Sequence, residues 1–224
     1  MPAEILYIRR NDKYHRFEQL SAALGSHVQG QAGAQVEYTG DFAPLQAESL
    51  AGRRCVIVCC MPYMDNHGDL LPEERTGLDQ FVRGGGGLVV LHSGAGAWNG
   101  WSGWGELAGG VWDWGTSSHD PYGRFRVVLQ PAAHPVAAAA AAALGGAEFE
   151  TEDELYHTLG MRAPVTVVAH ALRGGSAAPQ AWVREVDAGR AFFCALGHDA
   201  RSCASPGYLA LVTAGVRWAG RLEG

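Results

Sequence analysis

No stretch of the chain reaches the ~18 apolar residues that a membrane-crossing helix requires. Nor is there an excess of positive charge: 17 Lys+Arg stand against 23 Asp+Glu, a formal net charge of −6. That balance gives no electrostatic reason to bind phosphate backbones or anionic lipid, so neither nucleic acid nor a membrane is expected as a partner. The opening residues, Met1 to Arg10, lack the basic region and long apolar run of a secretory leader. The five cysteines, Cys55, Cys59, Cys60, Cys194 and Cys203, are odd in number and mostly embedded in apolar runs. They read as buried free thiols rather than a disulfide framework, and a cytoplasmic location is the expectation.

The familiar short signatures are also missing. There is no H-E-x-x-H, no C-x-x-C, and no glycine-rich loop closed by Gly-Lys-Ser/Thr. Gly84 to Gly87 precede an apolar run, as a helix end and turn would, rather than opening a helix around a phosphate. Gly94 and Gly96 do follow such a run, but Asn99 stands where a third glycine would be needed, which argues against dinucleotide binding.

What is present is a composition of 47% hydrophobic and 18% charged residues, suited to one globular domain over residues 1–224. Apolar runs alternate with helical patterns through the first half, predicting strands at Ile5–Ile8, Gln35–Tyr38, Cys55–Cys60 and Leu88–Leu91, with helices from Phe17 to Leu24 and from Pro72 to Arg83. In the second half, Arg124–Leu129, Ala147–Thr151, Val165–His170, Ala181–Val186 and Arg190–Ala195 read as strands, several joined by turns too short for helices. Ala137–Leu144 and Tyr208–Trp218 read as helices. The expected fold is an α/β three-layer sandwich with a mostly parallel, flavodoxin-like sheet and a partly antiparallel C-terminal extension.

Open sheets of this kind bind ligands beyond the carboxyl ends of their strands. Tyr14 and His15 follow the first predicted strand, Tyr63 and His67 the third, and His92 and Ser93 the fourth. Glu154, Tyr156 and His157 follow Ala147–Thr151, and His198 and Asp199 follow the last. Any one histidine is usually a solvated or hydrogen-bonded loop residue. Imidazoles converging with a carboxylate, however, make a divalent-metal site of the zinc, manganese or iron type. Leu91-His92-Ser93-Gly94-Ala95 is also a loose strand-to-helix nucleophile elbow, in which Ser93 with His198 and Asp199 or Glu154 would form a triad; the plainer reading has Ser93 capping the next segment or orienting His92.

Five of the seven tryptophans, Trp98, Trp101, Trp104, Trp112 and Trp114, lie in seventeen residues rich in Gly and Ser. Such indoles either stack on sugar rings or cover one end of the sheet.

Five blocks of the sequence resemble the trehalose-utilisation, or ThuA-like, proteins, whose fold is similar to the class I glutamine amidotransferases. They are Gly85 to Gly94, His134-Pro135-Val136, Thr151 to His157, Ala195 to Asp199, and Gly215 to Ala219, in the family's order, with Tyr14-His15 a weaker match. The resemblance spans nearly the whole chain. It implies a link to disaccharide and keto-sugar catabolism, a divalent metal in the cleft, and functional positions at His92, Ser93, Glu154, Tyr156, His198 and Asp199, with His15 carried by the weaker match. The glutaminase cysteine of the amidotransferases is replaced at the elbow by His92-Ser93, so ammonia release is not inherited. The tryptophan-rich segment and the alanine run depart from the family pattern.

The leading expectation is a metal-dependent enzyme acting on a small sugar or keto-sugar glycoside by hydrolysis, elimination or isomerisation. His15, His92, Glu154 and His198 would hold the metal, zinc foremost. His92, Ser93, Glu154, Tyr156 and Asp199 would be catalytic, and Trp98, Trp101, Tyr63 and His67 would contact a small carbohydrate ligand. The rivals are a serine hydrolase built on Ser93 and a non-catalytic sugar-binding or assembly protein. Apolar surface from the Trp-rich and Ala-rich segments makes a homo-oligomer a further expectation.

Overall fold

A computed structural model describes residues 4–65, 68–173 and 176–222. Nine strands form one sheet: β1 (Ile5–Arg9), β2 (Val36–Thr39), β3 (Cys55–Cys59), β4 (Gly87–Leu91), β5 (Gly123–Leu129), β6 (Glu148–Asp153), β7 (Thr166–Arg173), β8 (Ser176–Val186) and β9 (Gly189–Cys194). Their order across the sheet is β2-β1-β3-β4-β9-β8-β7-β5-β6. The first five in that order are parallel, and every later neighbour is antiparallel. The chain thus begins as the flavodoxin-like 2-1-3-4 arrangement and ends as an antiparallel wing, as the sequence predicts.

Side chains alternate across the strands, so the parallel part is apolar on both faces and carries two cores. One packs Ile5, Tyr7, Ile57, Val89, Leu91 and Phe192 under α1 (Phe17–Ala32) and α6 (Pro206–Ala219). The other packs Leu6, Ile8, Val56, Val58, Val90 and Phe193 under α2 (Pro72–Arg83) and α3 (Ser102–Ala108). Burial on this scale, at about 25 cal/mol per Å² of apolar surface, is the main force holding the layers together. The alanine run forms α4 (Pro135–Leu144), whose small side chains let it lie against α6, and α5 (Ala200–Ala204) precedes α6.

Local signals set the helix starts. Pro72 opens α2, and the Glu74 carboxylate reaches back to accept the Leu71 N–H at 2.8 Å. Ser205 caps α6 by accepting the Tyr208 N–H at 3.2 Å. The largest departures from the predicted bounds are α1, which continues to Ala32, and β8, which begins at Ser176. Helix α3 has no counterpart in the expectations, because its seven residues are too few for a periodic signal and two of them are glycine.

Four antiparallel steps separate β9 from β6, so β6 points the same way as the parallel strands. The ends of β1, β4, β6 and β9 therefore open on one edge of the sheet. Among the described residues no helix is long and apolar enough to cross a membrane.

Candidate metal centre

Four donor-bearing side chains meet at that edge: His15 from the loop after β1, His92 from the end of β4, Glu154 from the end of β6, and His198 from the loop after β9. One ligand atom from each lies within 4.8 Å of all the others. The three imidazoles form a mutually edge-on triangle, with ring centroids 4.9 to 5.4 Å apart.

Each histidine is aimed by a different device. Asp12 is buried, and its Oδ1 accepts the Tyr14 and His15 N–H groups at 2.7 and 2.9 Å. Both its carboxylate oxygens lie 2.8 Å from His15 Nδ1, which donates to them and leaves Nε2 with a free lone pair. His92 occupies a left-handed backbone conformation, φ +44°, where β4 turns sharply into a short 3-10 segment. Its Nδ1–H donates to the Ala195 carbonyl at 2.7 Å, and its Nε2 accepts from the Tyr156 hydroxyl at 3.1 Å. The turn is tight enough that a Cβ on Gly94 would sit 2.6 Å from the Val58 carbonyl oxygen, so only glycine fits there.

Asp153, fully buried at the end of β6, fixes the remaining two. Its carboxylate accepts the N–H groups of Glu154 (2.8 Å), Gly197 (2.8 Å) and His198 (3.2 Å), tying the loops together. Burial pushes its carboxyl up to about 6 in spite of those three donors. Tyr156 is anchored through its carbonyl, which accepts from Gln180 Nε2 at 2.9 Å.

The electrostatics follow from burial and proximity. Removal from water pushes the His92 imidazole well below its ordinary range, and the neighbouring His15 adds to the effect. The Glu154 carboxylate holds His198 above its ordinary range. Burial opposes ionisation of Glu154, yet the imidazoles of His198, His119 and His15 outweigh it and keep the carboxyl below the usual range. Burial pushes the Tyr156 phenol well above its ordinary value, so it stays protonated.

The donor set suits a divalent cation. His198 Nδ1 lies 3.3 Å from Glu154 Oε2 but is a buried nitrogen with no hydrogen-bond partner among the described residues. Glu154 Oε2 also stands 3.6 Å from His92 Nε2. Three imidazoles and one carboxylate are a nitrogen-rich set typical of zinc, manganese or iron, and the Asp12–His15 and Ala195–His92 hydrogen bonds are the outer contacts that orient metal-binding histidines. Donors on one zinc ion stand roughly 3.3 Å apart, so a set whose atoms lie within 4.8 Å of one another would contract by up to about 1.5 Å around an ion.

Other expected site residues lie elsewhere. Ser93 adjoins the cluster but is 1% exposed, and its hydroxyl has no hydrogen-bond partner among the described residues, which assemble no serine–histidine–acid triad around it. Asp199 is the N-cap of α5: its Oδ1 accepts from Arg201 N and Ser202 N at 3.0 Å each and from the Tyr122 hydroxyl at 3.0 Å. Trp98, expected to contact substrate, is 1% exposed and packs edge-on to Trp104 and Phe42 in the second core, because the chain folds back beneath the His92 turn. Trp101 is half-buried and Tyr63 exposed, its ring 5.7 Å from Trp114. His67 lies outside the described residues.

Two contributors escaped the sequence reading. Asp12 could have been found from its place three residues before His15, the spacing of a side chain that caps its own turn. His119 carries no such signal. It lies on a two-residue strand paired with Tyr156–His157, and its Nδ1 stands 3.7 Å from Glu154 Oε1.

The sequence pattern of the ThuA family, described as trehalose utilisation, matches residues 4–219. No curated protein matches the chain. Among solved structures, a ThuA-like protein from Parabacteroides merdae is similar at 18% identity and a TM-score of 0.77, covering 98% of this chain and 90% of that one. A ThuA-like protein from Bacteroides uniformis gives 20% identity and a TM-score of 0.72 over 96% and 89% of the two chains. A cytoplasmic protein from Salmonella typhimurium gives 14% identity and 0.67 over 96% and 98%. At these identities the likeness establishes the fold.

Proposed function

The chain belongs to the trehalose-utilisation (ThuA) family, and from that premise we propose that it is a divalent-metal-dependent enzyme acting on a small sugar or keto-sugar glycoside by hydrolysis, elimination or isomerisation. The family ties the chain to carbohydrate metabolism. The observation that carries the finer reading is the convergence of His15, His92, Glu154 and His198, with an unsatisfied buried nitrogen at His198.

In this reading His15 and His198 would supply neutral nitrogen donors and Glu154 an oxygen, and His92 Nε2 would join them once the Tyr156 hydroxyl turns its proton away from that nitrogen. A bound zinc or similar ion would provide Lewis acidity, stabilising negative charge that develops on an oxygen next to a sugar carbonyl. The residues do the rest. Tyr156, protonated and buried, is a hydrogen-bond donor at the floor of the site. His119, half-open to solvent beside Glu154, is positioned to exchange a proton with substrate. Its Nδ1 faces the Asp120 carbonyl at 2.8 Å, and donating there leaves the Nε2 lone pair unengaged by that contact. A cytoplasmic location accords with the buried unpaired thiols and with the similar Salmonella protein.

Elemental analysis of the purified protein tests the reading. Near-stoichiometric zinc, manganese or iron is expected, falling to background in His15→Ala and His198→Ala while circular dichroism is unchanged. Turnover of a keto-sugar glycoside should be lost with chelator, restored by the ion, and retained in Ser93→Ala. Chelator-resistant turnover that vanishes in Ser93→Ala would overturn it in favour of a serine hydrolase.

A further inference from the structure

The tryptophan-rich segment divides into two kinds of indole. Trp98 and Trp104 turn inward, 1% and 0% exposed, and belong to the core. Trp101, Trp112 and Trp114 instead line a cavity of about 370 Å³ beside α3, outside the donor cluster. Trp114 is 51% exposed, and Tyr63 against it is 73% exposed, so water covers aromatic surface that the fold has no need to show.

The polar groups of the cavity are planar and hydrogen-bonding. Asp113 and Arg162 pair at 2.9 Å across its wall, and Glu106 and Asn99 also line it. An indole face presents a flat apolar surface to the C–H face of a pyranose, while carboxylate and guanidinium groups bind vicinal hydroxyls in their own planes. Asp113 is paired with Arg162, and Glu106 lies 3.5 Å from Arg83 just outside the lining, so both guanidiniums are already held by carboxylates. That disfavours phosphates, nucleotides and sugar acids, and leaves a neutral polyol ring as the fitting occupant.

The cavity and the donor cluster share a wall. Trp112 lies 6.2 Å from Trp114 on the cavity side. Its ring is also 4.8 Å from that of Tyr156, whose hydroxyl contacts His92, and 6.0 Å from His119. Its backbone is pinned to the turn that carries His92, since Trp112 N–H donates to the Ala95 carbonyl at 2.8 Å.

We propose that the Trp101–Trp112–Trp114 cavity, with Asp113 and Arg162, is a binding subsite for a neutral sugar ring remote from the reacting one. That the neighbouring ring is thereby presented to His92 and Glu154 rests on the functional reading above; the subsite itself does not.

Calorimetric titration with methyl α-D-glucoside, methyl α-D-galactoside and trehalose tests it on the whole protein, with AMP as an anionic control. At least one neutral sugar should bind, Trp114→Ala and Arg162→Ala should each weaken it about tenfold, the value of roughly 1.4 kcal/mol of lost stacking or hydrogen bonding, and AMP should not bind. Metal content should be unchanged in both variants. In His198→Ala the methyl glycosides should bind as before, so loss of the metal and loss of the subsite are read separately. Failure of all three sugars to bind, undiminished binding in Trp114→Ala, or preference for AMP would overturn the proposal.

Discussion

His92 concentrates the design of the site in one residue. A non-glycine residue in the left-handed region costs roughly 1–3 kcal/mol and persists only where its surroundings over-determine it. Here the Ala195 carbonyl, the Tyr156 hydroxyl and complete burial do so, and the reward is an imidazole whose Nδ1 proton is fixed and whose Nε2 faces the other donors. His15 is held as firmly, through Asp12. Orienting contacts of this kind are worth about 10–100-fold in metal affinity, so Asp12→Ala should weaken metal binding by that factor in competition with a chromophoric chelator, with Asp12→Asn nearer the parent because an amide oxygen still accepts from Nδ1. Equal affinity in all three proteins would show that His15 needs no such support.

At the scale of elements, the parallel strands were legible because each is a short, β-branched, doubly buried run, as in Cys55 to Cys59. The residues just past those strands were legible for the same reason, and that is why His15, His92 and His198, which the fold brings together, were singled out. Glu154 was legible from its place after β6, although nothing local shows that β6 runs with the parallel strands; that depends on pairings between residues far apart. The tryptophans show the limit most clearly, for Trp98 and Trp114 share a composition and differ only in which way a tertiary contact turns them. Trp98→Ala should therefore cost about 3–5 kcal/mol, the range for a large core aromatic. Trp114→Ala should stay within about 0.5 kcal/mol of the parent. Denaturant melts of the two variants decide the point, and similar losses in both would contradict the division into core and cavity indoles.

For the molecule as a whole, two cores on opposite faces of one sheet enclose all five cysteines as free, buried thiols. Burial pushes Cys55 and Cys203 up to about 12 and Cys59 well above its ordinary range. Because the thiolate is the reactive form, the folded protein should resist Ellman's reagent at pH 8 and release five equivalents in denaturant; rapid reaction of the native protein would mean that a core opens readily. The antiparallel wing adds a constraint of parity. Only because the number of reversals between β9 and β6 is even does β6 run with the parallel strands and bring Glu154 to the rim that carries His198. One strand more or fewer would deliver it to the opposite rim, roughly 20 Å away for a six-residue strand, so the strand count of the wing is part of what assembles the four donors.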